Sequence, residues 1–131
     1  RQVAFVGNSE FTADFYLTQI VSHHRIGDVE GFLREAERQG VTAPGMFGVF
    51  YYRSARPSTL QTLSQFLPVP VDELAAEFAA GATPIDVCAR SIRDLMAVGV
   101  RHFYVSNLPL ARTASVLHAI LERAGLTTRT V

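Results

Sequence analysis

The chain has 131 residues, of which 48% are hydrophobic and 18% are charged; this balance is typical of one folded domain with a sizeable core and excludes a largely disordered protein. Twelve basic and twelve acidic residues cancel, so the composition offers no basic surface for nucleic acid or an anionic membrane. No apolar run approaches the ~20 residues that span a bilayer, and no signal peptide is recognisable. A single cysteine excludes an internal disulfide. We therefore expect a cytoplasmic protein.

Segments typical of strands and helices alternate along the first part of the chain. "FYLTQIV" (residues 15–21) is short, apolar and rich in aromatic and β-branched residues, which predicts a buried strand. "GDVEGFLREAERQG" follows and is predicted to be a helix capped by Asp28 and ended by Gly40. "GMFGVF" (residues 45–50) is predicted to be a second strand, whose two glycines indicate that something approaches the backbone closely.

Three helices are predicted before the next strand, and proline or glycine marks their ends. The first begins at Pro57, the second lies between Pro70 and Gly81, and the third has its N-cap at Thr83 and ends before Gly99. Apolar residues at helical spacing predict the buried faces, which consist of Leu60, Leu63 and Leu67 in the first helix and Ile85, Cys88, Ile92 and Leu95 in the third.

A third strand and a last helix are predicted at the end of the chain. "HFYVS" (residues 102–106) is the strand, and the helix extends from about Pro109 to Ala124 with Gly125 as its terminator. The buried face of this helix is predicted to consist of Leu110, Ala114, Leu117 and Leu121. The order β-α-β-α-α-α-β-α predicts an α/β fold with parallel strands and right-handed crossovers. The opening "RQVAFVG" fits either a strand or the tail of a helix.

Polar side chains follow each predicted strand, at the carboxyl ends where parallel α/β folds bind ligands. They are Ser22, His23 and His24 after the first strand, Tyr51, Tyr52 and Arg53 after the second, and Ser106 and Asn107 after the third. Gln19 lies just inside the first strand. Its amide both donates and accepts hydrogen bonds, which suits a heterocycle with both kinds of group. The alternative is that Gln19 satisfies a neighbouring backbone group or a buried water.

Other site chemistries are weakly supported by the sequence. Adjacent residues on an extended chain point in opposite directions and no third ligand has convincing spacing, so we predict no metal at His23 and His24. Cys88 is predicted to pack in the core rather than act as a nucleophile. No nucleophile elbow, dinucleotide fingerprint or P-loop occurs. Tyr51 is either a stacking aromatic or loop packing, and Arg53 either binds an anionic ligand tail or is solvated.

Four stretches resemble the methylenetetrahydrofolate reductase family. "ADFYLTQIV" is similar to a family strand of the form A-[DN]-x-x-[IV]-T-Q-x-x, and "GVTAPGMFGVF" is similar to the passage leading into the next strand. "PVPVDELAAEF" is similar to a short helix introduced by a hydrophobic residue and proline, and "CARSIRDLMAVGVRHFYVSN" to a helix, a G-V turn and an H-F-Y-T-L-N strand. Their order matches the last part of the family over nearly the whole chain. The most specific elements are Thr18-Gln19 and His102-Phe103-Tyr104.

The resemblance implies a (β/α)8 TIM-type barrel, of which residues 1–131 are the C-terminal portion with the sixth, seventh and eighth strands. "RQVAFVG" would then be the tail of the preceding helix. The resemblance also implies an oxidoreductase of one-carbon metabolism that reduces 5,10-methylenetetrahydrofolate to 5-methyltetrahydrofolate, a flavoprotein in which FAD takes hydride from NADH or NADPH. The catalytic acid and most flavin-binding residues would lie upstream. Because the chain begins with Arg1, we expect it to be processed or part of a longer protein, completed by the rest of the barrel or by a partner chain.

The resemblance also assigns candidate contacts. Gln19 would contact both the folate pterin and the nicotinamide, which share one face of the flavin. Gln61 is the nearest equivalent of a second glutamine that touches substrate. Tyr104 and Asn107 are further candidate folate contacts. Two aromatic residues are candidates for stacking on a flat cofactor ring, namely Phe50 and Tyr51.

Three departures from the family pattern concern the substrate. The arginine expected to hold folate after Asn107 is replaced by Leu108, and Arg112 or Arg53 is the candidate substitute. The second proline of the family's P-G-I-x-P element is replaced by Gly48, and the loop "YYRSARP" is longer than usual. These changes indicate a divergent subfamily, including the option of a barrel that binds folate without flavin. The rival interpretation is a non-enzymatic α/β interaction or regulatory module that forms a homo-oligomer through open sheet edges.

Overall fold

The computed structural model describes residues 14–54 and 56–126, so the opening "RQVAFVG" lies outside the described residues. The strands are β1 (Tyr16–Ile20), β2 (Gly45–Phe50) and β3 (His102–Ser106), and the α-helices are α1 (Ile26–Arg38), α2 (Pro57–Ser64), α3 (Val71–Ala79), α4 (Pro84–Ala97) and α5 (Thr113–Arg123). Two short 3₁₀ turns, His23–Arg25 and Leu110–Arg112, precede α1 and α5. Among the described helices, none has both the length and the apolar character required to cross a membrane.

The three strands form one parallel sheet in the order β1-β2-β3, which confirms the predicted α/β class and parallel pairing. Gly48 of β2 lies opposite Tyr104 of β3 on one side and opposite Ile20 of β1 on the other. The register of β1 against β2 is irregular between Leu17 and Ile20. Since all three strands run the same way, their carboxyl ends lie along one edge of the sheet.

One face of this sheet is covered by helices. The main hydrophobic cluster joins Phe47 and Val49 of β2 to Ile92 and Leu95 of α4 and to Ile120 of α5. Each of these three helix side chains, Ile92, Leu95 and Ile120, is at most 1% exposed. Burying such side chains contributes about 1.5–3 kcal/mol each, so this covered face accounts for most of the core.

The opposite face of the sheet is open in the described residues. Strand pairing places Leu17, Met46 and His102 on one side of the sheet, followed by Gly48 and Tyr104. Leu17 is 62% exposed, so the predicted burial of the first strand is wrong at this position. The reason is that β1 is an edge strand and no described helix covers this face.

A second, smaller cluster lies where α2 and α3 pack against α4. Tyr52, Leu60, Leu74 and Val87 are its buried members. Leu60 is fully buried as predicted, whereas Leu63 and Leu67 are only half-buried. This cluster anchors the segment that returns from the carboxyl end of β2 to the start of α4.

The predicted ends of α4 are confirmed by its capping geometry. Thr83 is the N-cap, its side chain accepts a hydrogen bond from the Asp86 amide, and the Asp86 carboxylate accepts one from the Thr83 amide. This reciprocal capping box satisfies two backbone donors that the helix leaves unpaired. Pro84 occupies the first turn, and Gly99 adopts a left-handed φ of 107° after the helix.

Two helix predictions are wrong in detail because a 3₁₀ turn comes first. Asp28 was expected to cap α1, but α1 begins at Ile26 and Asp28 lies within its first turn. Leu110 was expected on the buried face of the last helix, but it lies in the preceding 3₁₀ turn and is 94% exposed. Within the helix the buried residues are Val116 and Ile120, whereas Ala114 of the predicted face is exposed and Leu117 and Leu121 are half-buried.

Candidate functional site

The carboxyl ends of β2 and β3 are held together by hydrogen bonds. The Tyr51 amide donates to the Ser106 carbonyl at 2.9 Å, and the Asn107 side-chain amide donates to the Tyr51 carbonyl at 3.1 Å. Arg53 donates to the carbonyls of Asn107 and Leu108, each at 3.2 Å. Asn107 has a φ of 72°, a left-handed conformation that asparagine tolerates better than most residues. Arg53 therefore ties two loops together and is not merely solvated.

Gln19 lies at the carboxyl end of β1 and is exposed. Its side-chain amide forms no hydrogen bond with any other described residue. Within that part of the chain, no neighbouring backbone group satisfies Gln19. Gln19 lines two grooves. One of about 310 Å³ lies beside β1 and α1 and includes Arg25 and Phe32. The other, of about 350 Å³, includes Tyr104 and Ser106.

Two tyrosine rings lie against glycines of β2. A methyl group at Gly48 would come within 2.5 Å of the Tyr104 ring, and one at Gly45 within 2.4 Å of the Tyr16 ring. The Tyr104 hydroxyl donates a hydrogen bond to the Thr18 carbonyl. The prediction that these glycines permit a close approach is therefore confirmed, and Tyr104 connects β3 to β1 across Gly48.

The other predicted contacts do not gather around Gln19. Tyr51 is 7% exposed and belongs to the main hydrophobic cluster, which supports the packing alternative for this ring. Phe50 is half-buried, with its ring centroid 4.9 Å from that of Tyr52. Gln61 on α2 and Arg112 at the end of a 3₁₀ turn are both exposed. Among the described residues, neither lines a groove beside Gln19.

A half-buried polar cluster lies directly after β1. His23 Nε2 is 2.5 Å from Glu77 Oε1, and His24 Nε2 contacts the same carboxylate oxygen. The ring centroids of the two histidines are 3.9 Å apart. The geometric reason for excluding a metal is therefore wrong, because the histidines lie in a 3₁₀ turn rather than an extended segment, and a third ligand-type group is present.

Each histidine of this cluster also has a hydroxyl partner at its other ring nitrogen. His23 Nδ1 is 2.7 Å from Ser91 Oγ, and His24 Nδ1 is 3.2 Å from Ser22 Oγ. Arg90 Nη1 donates to Glu77 Oε2 at 2.5 Å. Both imidazoles are thus fixed at Nδ1 while their Nε2 atoms point to one oxygen.

The electrostatics of the cluster favour a neutral His23 and an ionised Glu77. Burial lowers the pKa of His23, although its hydrogen bond to Glu77 opposes the shift. Burial alone would raise the pKa of Glu77, but the hydrogen bonds and charges of His23 and His24 outweigh it and hold that pKa below its usual value. A neutral imidazole and an anionic carboxylate are the forms that bind metal ions.

Two further titratable groups are buried in the cores. Cys88 is 1% exposed, which confirms the prediction that it packs in the core, and burial raises the pKa of its thiol to about 12. Burial also raises the pKa of Tyr52 to about 12. The Tyr52 hydroxyl has no hydrogen-bond partner among the described residues.

Sequence reasoning missed the partners of the histidines. Glu77 and Ser91 come from α3 and α4, 54 and 68 residues beyond His23 along the chain. No short motif links groups at such separations, so only the packing of α3 and α4 against the turn after β1 reveals them. Comparisons of the chain with protein-family models, curated proteins and solved structures found no match.

Proposed function

We propose that this chain is the C-terminal portion of a (β/α)8 barrel and that the complete protein is a folate-linked oxidoreductase resembling methylenetetrahydrofolate reductase. One observation carries the proposal: the Gln19 amide is exposed at the carboxyl end of a parallel sheet and has no partner in the described residues. Carboxyl ends of parallel strands are where barrel enzymes bind ligands. An amide in that place has both its donor and its acceptor available to a pterin or nicotinamide.

The open face of the sheet also supports a larger barrel. Three aromatic or aliphatic side chains there or nearby remain at least half exposed, at 50% for Phe15, 62% for Leu17 and 79% for Phe66. The sheet edge at β1 has no neighbouring strand among the described residues. In a closed barrel, further strands pair with both edges and inward-facing side chains fill the interior.

The residues of this chain fit only part of a flavin and nicotinamide site. When bound, the flavin would accept hydride from the nicotinamide and pass it to the folate. Gln19 would bind and orient the pterin through paired hydrogen bonds. Tyr51 is in the core and offers no stacking surface, whereas Phe50 is half-buried beside Tyr52. The flavin would therefore depend mainly on residues elsewhere in the protein.

The remaining candidate contacts would have roles other than those that the family resemblance implies. Asn107 donates its amide to the Tyr51 carbonyl, and the Tyr104 hydroxyl is engaged by the Thr18 carbonyl. Both therefore position the strands that carry the site. Gln61 and Arg112 would reach folate only through its extended tail, because neither lines the grooves beside Gln19.

The experiment is a titration of the full-length protein with methyltetrahydrofolate, with and without added FAD, followed by an NADH and NADPH oxidation assay. Gln19→Ala is expected to weaken folate binding or turnover by about 1–3 kcal/mol, roughly 5- to 150-fold, because polar groups of the ligand lose their partner. Gln39→Ala is the matched control, since Gln39 follows α1 and its side-chain amide donates to Glu35, away from Gln19. Equal affinities in the two variants would remove Gln19 from the site.

A second candidate function is a non-enzymatic interaction module that forms a homo-oligomer through β1. The same exposed edge and the exposed Leu17 favour it, because open edges tend to pair with other strands. A full-length protein that binds neither folate nor flavin, and whose mass in solution is a multiple of the chain mass, would support this candidate over the enzyme.

A further inference from the structure

The cluster after β1 has the composition of a metal site. His23, His24 and Glu77 each offer one ligand atom, and these atoms lie within 4.8 Å of one another. Two imidazoles and one carboxylate form the protein ligand set of many catalytic zinc sites, in which water or substrate takes the fourth position. The same set also binds Fe²⁺ in some enzymes.

The surroundings of the cluster match those of metal-ligating histidines. Such histidines usually bind the metal through one ring nitrogen while the other bonds to an oxygen that fixes the ring. Here Ser91 Oγ and Ser22 Oγ occupy that position at Nδ1 of His23 and His24, and both Nε2 atoms converge on Glu77 Oε1. The three proposed ligand atoms therefore lie next to one another, with both imidazoles already turned towards the carboxylate.

Burial and charge are compatible with a cation. The side chains of His23, His24 and Glu77 are 9%, 7% and 15% exposed, so bound metal would be largely shielded from water. Arg90 bonds to the other oxygen of Glu77, so Oε1 is shared only between the two imidazoles among the described residues. A groove of about 450 Å³ lined by Glu77, Gly81 and Arg90 lies beside the carboxylate of the cluster.

We propose that His23, His24 and Glu77 bind one divalent transition-metal ion, with Zn²⁺ as the probe ion, and that Ser91 orients His23 as a ligand. The alternative arrangement is a metal-free hydrogen-bond cluster in which Glu77 Oε1 accepts from both imidazoles. The two differ in what the cluster does when Zn²⁺ is added. The site does not include Gln19, so the outcome is independent of folate binding.

The test is a Zn²⁺ titration of the full-length protein after treatment with a chelator, by calorimetry and by competition with a chromophoric chelator. We expect one high-affinity equivalent per chain and a rise in melting temperature on Zn²⁺ addition. Glu77→Gln should abolish this equivalent. Ser91→Ala should weaken it by about 10–100-fold, as loss of an orienting partner typically does. His118→Gln, on α5 and outside the cluster, should leave it unchanged.

Binding of Co²⁺ gives a second readout that does not depend on stability. Nitrogen and oxygen ligation in a four- or five-coordinate site produces visible absorption that should be present in the parent protein and absent in Glu77→Gln. Circular dichroism of each variant shows whether it is folded, and Ser91→Ala keeps the test valid if Glu77→Gln unfolds. No stoichiometric Zn²⁺ binding by the parent protein, or equal affinity in the parent, Ser91→Ala and folded Glu77→Gln, would overturn the proposal.

Discussion

The two faces of the sheet differ in what they contribute to the molecule. On the covered face, Phe47 and Val49 are at most 3% exposed and pack against α4 and α5. On the open face, Leu17 is 62% exposed and Gly48 carries only the ring of Tyr104. The covered face therefore holds the fold together, whereas the open face and its rim are available to ligands or to further protein.

Leucine truncation on the two faces should give the largest contrast. Leu95→Ala removes a fully buried side chain and is expected to destabilise the protein by about 2–5 kcal/mol. Leu17→Ala should change the unfolding free energy of the 131-residue chain by no more than about 0.5 kcal/mol. Chemical denaturation measures both. If the proposed barrel exists, Leu17→Ala will cost clearly more in the full-length protein than in this chain.

Adding a methyl group at Gly48 tests whether the Tyr104 ring is held firmly against the open face of the sheet. Gly48→Ala would place a methyl group within 2.5 Å of the Tyr104 ring, so we expect a loss of about 1–3 kcal/mol from strain. Gly31→Ala is the matched control, because nothing lies within 4 Å of that position in α1 and alanine should gain about 0.5–1 kcal/mol in a helix. Equal effects in thermal melts would show that Tyr104 moves aside freely.

The N-cap of α4 tests how far the covered face depends on one helix. Thr83→Ala removes the acceptor for the Asp86 amide and should cost about 1 kcal/mol of unfolding free energy. Thr59→Ala, at an exposed position of α2, is the control and should be nearly neutral. A neutral Thr83→Ala would mean that the packing of α4 alone maintains its first turn.

Removing an unpaired hydroxyl should slightly strengthen the second cluster. The Tyr52 hydroxyl is buried without a partner among the described residues, so Tyr52→Phe is expected to raise the unfolding free energy by up to about 1 kcal/mol. Tyr104→Phe, which loses the bond to Thr18, should instead lower it. A destabilised Tyr52→Phe would show that this hydroxyl is hydrogen-bonded in solution.

The smallest expected effect is the pH dependence of the α4 cap. Hydrogen bonds from the Thr83 backbone and side chain hold the pKa of Asp86 below its usual value. A depressed pKa means that the stabilisation is present above the unfolded pKa of about 4 and is lost as the pH falls through the folded value. The melting temperatures of the parent and Asp86→Ala should therefore differ at neutral pH and converge in acid. A constant difference would exclude this cause.

The sequence predicted the regular elements well where turn residues bound them. Both β2 and β3 have the predicted limits, and the Thr83 cap of α4 has the predicted form. Predictions failed where a 3₁₀ turn replaces the expected first turn of an α-helix, as at Leu110. Such turns have no strong sequence signal because they differ from α-helix by one residue of hydrogen bonding.

The candidate site was only partly predictable. Position on a strand sufficed to single out Gln19, because carboxyl ends of parallel strands meet at one edge. Position along the chain did not predict that Tyr51 is buried, since the side chains of residues after a strand point either to the rim or to the core. Glu77 was out of reach, because its approach to His23 depends on how α3 packs and not on local spacing.

The bond from the Tyr104 hydroxyl to the Thr18 carbonyl links the outer strand to a strand that is not its neighbour. Fraying of β1 would have to break this bond as well as its ladder to β2, so the unpaired edge does not open by itself. Backbone amides of β1 and β3 should consequently exchange with solvent deuterium as one cooperative unit.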